Sequence, residues 1–140
     1  MQYGIEEVER DIQRENTERF IAADAFQCFL YRRTATADGA GGYELSDTGA
    51  MQWPQAMRLV PSDSGTLATA EHEDATGTHV TPTHVLLGTH DANVERWDTF
   101  VHNGRSFQVL YVEENAQYQK KADVLYLGTV SAGEAWDGVG

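Results

Sequence analysis

The chain is poor in cysteine, lysine and proline, and it lacks any long apolar run. Its 140 residues contain one cysteine, Cys28, so an internal disulfide is excluded. Cys28 sits in the apolar run "FQCFLY", which predicts a buried structural thiol rather than a nucleophile. No stretch approaches the length of a membrane span. The N-terminus, "MQYGIEEVERD", carries acid where a signal peptide needs positive charge. Positive charge is scarce throughout. Ten basic residues face 22 acids, for a net charge of −12, and Lys120 and Lys121 are the only lysines. Duplex binding needs basic side chains that displace counterions from phosphates, so a DNA clamp is excluded. The acids are spread along the chain and hydrophobic residues make up 41%, which argues against disorder. Scarce lysine beside abundant Asp, Glu, Ala and Thr suits a protein that stays hydrated in a very salty cytoplasm. An ordinary acidic soluble protein is the other reading.

What is present reads as a single domain of β-strands behind one helix. Residues 5–23 place Ile5, Val8, Ile12, Phe20 and Ala23 at near-helical spacing, with no Gly or Pro between them. Asn16-Thr17 is the weak point of that helix. Strands are expected at "FQCFLYRRT" (26–34), "PQAMRLVPS" (54–62), "HVLLGTH" (84–90), 97–102, 105–112 and "YQKKADVLYLG" (118–128). Asn103-Gly104 is the strongest turn signal in the chain, because a type I′ hairpin needs two positive φ angles. Pairing through it sets Phe100 opposite Phe107 and Val101 opposite Ser106. Strict alternation then puts Phe100, Phe107, Val109 and Tyr111 on one face, and Trp97, Val101, Leu110 and Val112 on the other.

The expected fold is mainly β: a small antiparallel barrel or sandwich of about six strands, with an N-terminal α-helix and a long inter-strand loop. Residues 1–25 form the helical segment and 26–128 the barrel. The polar stretch 62–82 is the long loop, and 129–140 a flexible tail whose Trp136 docks on a neighbour.

Chemistry is hard to find. His79, His84 and His90 recur in similar contexts, but they lack the close, thiolate-rich spacing of small zinc sites. Two of them on one strand would stand about 20 Å apart. The acids of "EHED" (71–74) and Glu113-Glu114 are adjacent pairs, whereas acid–base catalysis needs carboxylates in different environments across a cleft. "DGAGG" (38–42) lacks the lysine of a phosphate loop and reads as a hairpin turn. No catalytic residue, metal ligand or cofactor is assigned.

An ordered set of motifs resembles the head–tail joining family of tailed viruses. "YRRTATADGAGGYE" resembles that family's arginine-bearing strand and D-x-x-G-G turn. "RLVPSDSG" resembles the next strand and its run into a long loop. "WDTFVHNGRSFQVLYVEENAQYQKKADVLYLG" is similar to the closing segment, where an aspartate precedes a G-R-x-F-x-V hairpin and a strand enters at K-A-D. The resemblance spans roughly residues 29–128.

It implies a non-enzymatic neck protein, a head-closure or stopper subunit of the virion, in a homo-oligomeric ring of six or twelve copies. Such a ring sits between the portal or adaptor ring above and the tail tube or its terminator ring below, is assembled in the host cytoplasm, and faces packaged DNA without binding its sequence or any membrane. The long loop would then plug the channel, with Ser64, Gly65, Glu71, His72, Glu73, Asp74 and Gly77 as its candidate residues. Ile5, Val8, Ile12, Trp53 and Trp136 are the candidate contacts to partners. The acidity, read as adaptation to salt, would place the virus in a halophilic archaeon, with an actinobacterial phage as the other host. Another neck ring, an adaptor or terminator, is the alternative within this class. A small ligand- or metal-binding barrel is the alternative outside it, and would show an apolar pocket.

Overall fold

A computed structural model describes residues 5–50, 54–62, 71–113 and 117–129. The helix α1 (Ile5–Ala23) has the expected bounds and runs unbroken through Asn16-Thr17. Ten strands follow: β1 (Phe26–Cys28), β2 (Tyr31–Ala37), β3 (Tyr43–Ala50), β4 (Gln55–Pro61), β5 (His72–Glu73), β6 (His79–Val80), β7 (His84–Thr89), β8 (Thr99–His102), β9 (Arg105–Glu113) and β10 (Gln119–Thr129). Eight of them form one antiparallel sheet in the order β1-β4-β7-β10-β9-β8-β2-β3, and β5 pairs with β6.

The sheet curls because one run of chain serves both of its flanks. Phe26–Cys28 pairs with β4, and after Phe29-Leu30 Tyr31 pairs with Thr99 of β8. The curl brings Phe26 of β1 to 6.0 Å from Phe100 and 4.0 Å from His102, both on β8. The expected single strand 26–34 is therefore two strands. Tyr43–Ala50, not among the expected strands, forms β3. Its polar, glycine-containing sequence hides it, and pairing with β2 overrides that composition.

Cys28, Leu30, Met57, Leu86, Phe100, Phe107, Val109 and Val124 fill the interior, each 1% exposed or less. The hairpin has the expected register, Phe100 to Phe107 and Val101 to Ser106, with the two phenyl rings stacked at 5.1 Å. Asn103 and Gly104 both have positive φ, 53° and 73°. The alternation of faces fails further along. A bulge opposite Asp123/Val124 inserts Leu110, so Val109 and Leu110 are both buried and the later residues change sides. Val112 packs against the core, and Tyr111, expected beside Phe107, is 45% exposed. Trp97 lies outside β8, because its φ of 77° breaks the extended backbone.

Helix α1 lies on the outer side of β4 and β7, where Ile21 packs against Val85 and Leu87 with Val60 at the edge. Burying Ile21 contributes about 2 kcal/mol. Thr17 is also buried there, Arg58 donates to the Phe20 carbonyl at 2.8 Å, and its guanidinium lies 4.0 Å from the centre of the Phe20 ring. The face of the helix buried on the sheet is thus centred on Ile21 and Thr17. Val8 and Ile12 are 53% and 52% exposed.

Candidate functional site

Two residues from separate parts of the resemblance meet inside the fold. Arg32 of β2 donates from Nε to Asp98 Oδ1 at 2.8 Å, from Nη1 to Glu95 Oε2 at 2.8 Å and from Nη2 to Asn93 Oδ1 at 3.0 Å. The Asp98 side chain is fully buried and its second oxygen accepts the Glu95 backbone N–H at 2.8 Å. Burial pushes the Asp98 carboxyl up to about 6, against the pull of the Glu95 N–H and the Arg32 guanidinium. Gln55 clamps the same loop from β4, donating to the Asn93 carbonyl and accepting its N–H. Residues 93–98 are thereby fixed between β2 and β4. Trp97 holds its left-handed backbone in this frame, with its N–H donating to the Val109 carbonyl at 2.8 Å.

The second feature lies in the stretch expected to be one long loop. Residues 72–80 form the β5–β6 hairpin, tied down at both ends. At its base His72 Nε2 is 2.8 Å from Asp123 Oδ2, and the imidazole stacks on Tyr111 with centroids 4.8 Å apart. At its tip Asp74 accepts the N–H groups of Thr76 and Thr78, and those bonds hold its carboxyl below the usual carboxylate range, the Thr76 hydroxyl most of all. The tip seats on the 38–42 turn: the Tyr43 N–H donates to the Ala75 carbonyl at 2.7 Å. Glycine is required on both sides. A Cβ on Gly42 would stand 2.9 Å from the Thr76 carbonyl carbon, and one on Gly77, at φ +86°, would strike the Gly41 carbonyl.

Of the candidate plug residues, His72, Glu73, Asp74 and Gly77 are thus brought together in a docked hairpin, with Glu71 exposed just before it. Ser64 and Gly65 lie outside the described residues, as do Trp53, Trp136 and the side chain of Ile5. Val8 and Ile12 stand exposed on α1.

The third feature is a groove of about 550 Å³ beside the hairpin base. Val94, Tyr111 and Val112 form its apolar part, Arg96 and Lys120 bring positive charge, and Glu95 and Glu113 line it as well. Arg96 lies 4.2 Å over the Trp97 ring and 5.8 Å from Tyr43. Sequence reasoning missed this groove because the bulge at Leu110, which turns Tyr111 outward, leaves no mark in the hydrophobic pattern.

Among the described residues no group of three or more His, Cys, Asp and Glu side chains is placed to hold a metal ion, and no helix is long and apolar enough to cross a membrane. His84 opens β7 and His90 follows its last residue, so a full strand separates them. Neither a family model nor a curated protein matches the chain.

Proposed function

We propose that this chain is a structural, non-enzymatic subunit of a tailed-virus neck, a head-closure protein acting as a ring between portal or adaptor and tail. The observation that carries the reading is the Arg32–Asp98 joint. The motifs that resemble the joining family are far apart in sequence, and each on its own is a common turn or strand. Here they act together as joints of one curled sheet. Arg32 binds Asp98, the Asp38–Gly42 turn receives the hairpin tip, and Asp123 of K-A-D receives His72.

Chemical character supports the same reading. A ring of chains that each carry a net charge of −12 would repel DNA phosphates, which suits a channel that DNA passes without adhesion. The ligand-binding barrel would hold its guest in the interior, but that space is filled by Phe100, Phe107, Leu30 and Met57. The closure element would come from the stretch between Pro61 and His84. Its docked part, 72–80, braces the collar rather than hanging free.

The deciding experiment is the mass of the purified protein in molar salt, alone and mixed with virus heads that lack tails. A ring, or stoichiometric binding at the head vertex, is expected. A monomer that ignores heads would overturn the proposal.

A further inference from the structure

We infer that the groove between the 94–96 loop and the β9–β10 ladder receives the segment Glu134-Ala-Trp136-Asp137 from a neighbouring copy of the chain. The inference rests on the ring assembly proposed above and names its intersubunit contact.

The groove's chemistry selects the ligand. Arg96, which also donates at 3.4 Å to the Glu73 carbonyl, and Lys120 line it, in a chain that has ten basic residues in all. Glu95 is already bonded to Arg32, and Glu113 stands opposite Lys121 in the strand register. The floor of Val94 and Val112, with the exposed Tyr111 ring, suits an apolar or aromatic side chain flanked by carboxylates. The segment 130–140 supplies that combination: one tryptophan between Glu134 and Asp137, and no basic residue. A second groove, of about 470 Å³, lies between α1 and β7 and is lined by Gln13, Asn16, Phe20, Leu87 and Tyr118 among others. Its lining residues carry no charge, against the two cations that line the first groove.

Reach decides which copy supplies the segment. Asp123, opposite Tyr111, and Lys120 lie roughly 20 and 30 Å back along β10 from Thr129. Trp136 is seven residues beyond Thr129, about 24 Å of fully extended chain. The chain must also reverse direction to run back over its own sheet, and a tight reversal uses two residues. About 17 Å of backbone then remains, which with the tryptophan side chain reaches the Tyr111 end of the groove but not Lys120 at its far end. A head-to-tail neighbour has no such limit, and repeated donation of this kind closes a ring.

The test uses a fluorescent peptide of residues 130–140 added to the full chain carrying Trp136→Ala, followed by anisotropy. Saturable binding is expected, weakened about tenfold by Lys120→Glu, the size of one lost charge-assisted bond. Absent binding, or binding indifferent to Lys120→Glu, would overturn the inference. In parallel the masses of wild type and Trp136→Ala are compared in molar salt. A wild-type ring that Trp136→Ala breaks is expected. A ring that survives Trp136→Ala would overturn the tail contact and leave the neck reading standing. A wild-type chain that neither assembles nor meets heads would overturn the neck reading, while the peptide still reports on the groove.

Discussion

Arg32 and Asp98 are 66 residues apart in sequence and 2.8 Å apart in the fold, and the carboxylate between them is shut off from solvent. A buried ion pair is weak evidence of net stabilisation, because desolvation offsets most of the attraction. Its removal from one side is another matter. Arg32→Ala leaves a buried charge with only the Glu95 N–H for support and is expected to cost about 3–5 kcal/mol in urea unfolding. Arg32→Lys recovers part of this, since one ammonium cannot span Asp98, Glu95 and Asn93 as the guanidinium does. Glu95→Ala, at the exposed end of the network, costs less than about 1 kcal/mol. Equal losses from all three variants would show that the network is not centred on Asp98.

The same carboxyl fixes a pH dependence. Its folded pKa, about 6, lies above the ordinary value of 3.8, so the folded state holds the proton more tightly than the unfolded one. Stability from this group is therefore greatest below pH 4 and is lost as pH rises through 6. The other acids of the chain titrate in the same range, so wild type is compared with Asp98→Asn. The stability difference between them should fall between pH 4 and 6 and be flat from 7 to 8. A difference that grows across that window would show that Arg32 outweighs burial.

Much of the fold was legible because local chemistry and tertiary demand agree. The helix bounds, the Asn103-Gly104 turn, the Phe100–Phe107 register and the buried Cys28 all follow from short-range signals. Failures came where long-range pairing decided the outcome. Tyr43–Ala50 is a strand only because β2 lies beside it. Ile21 meets the sheet because Val85 and Leu87 lie beneath it, and Arg58 holds the neighbouring Phe20 carbonyl. The site was half legible. Arg32 and Asp98 stand in quoted motifs, but nothing in the sequence pairs them, and the His72–Asp123 bond joins segments that composition would keep apart.

Gly77→Ala tests whether the hairpin tip is seated as described. The substitution places a methyl against the Gly41 carbonyl at a φ that L-residues avoid, and should cost about 1–3 kcal/mol of local stability. Hydrogen exchange localises the effect. The Tyr43 amide, bonded to the Ala75 carbonyl, should exchange faster, while the Val109 amide, bonded to the Asp98 carbonyl, keeps its protection. Loss of protection at both would mean that the hairpin supports the whole barrel.

Cys28 offers a direct probe of global unfolding. It is 1% exposed, and burial, helped by the Asp98 charge, pushes its thiol up to about 12. Only thiolate reacts with aromatic disulfides, so at pH 8 the folded protein should label at least about a thousandfold more slowly than the urea-unfolded chain. Rapid labelling without urea would place Cys28 at a surface and contradict the packed interior.

Net charge supplies the last test. With 22 acids against ten bases the folded chain repels itself, and folding packs that charge into a smaller volume. Screening length falls from about 10 Å at 0.1 M salt to about 3 Å at 1 M, so most of this repulsion should vanish across that interval. The melting temperature is expected to rise steeply up to 1 M sodium chloride. Above 1 M, residual gains should depend on the anion, with sulfate more effective than chloride, because the remaining effect is on burial of apolar surface. A melting temperature indifferent to salt below 1 M would mean that the acids are spaced widely enough not to interact, and would count against adaptation to high salt.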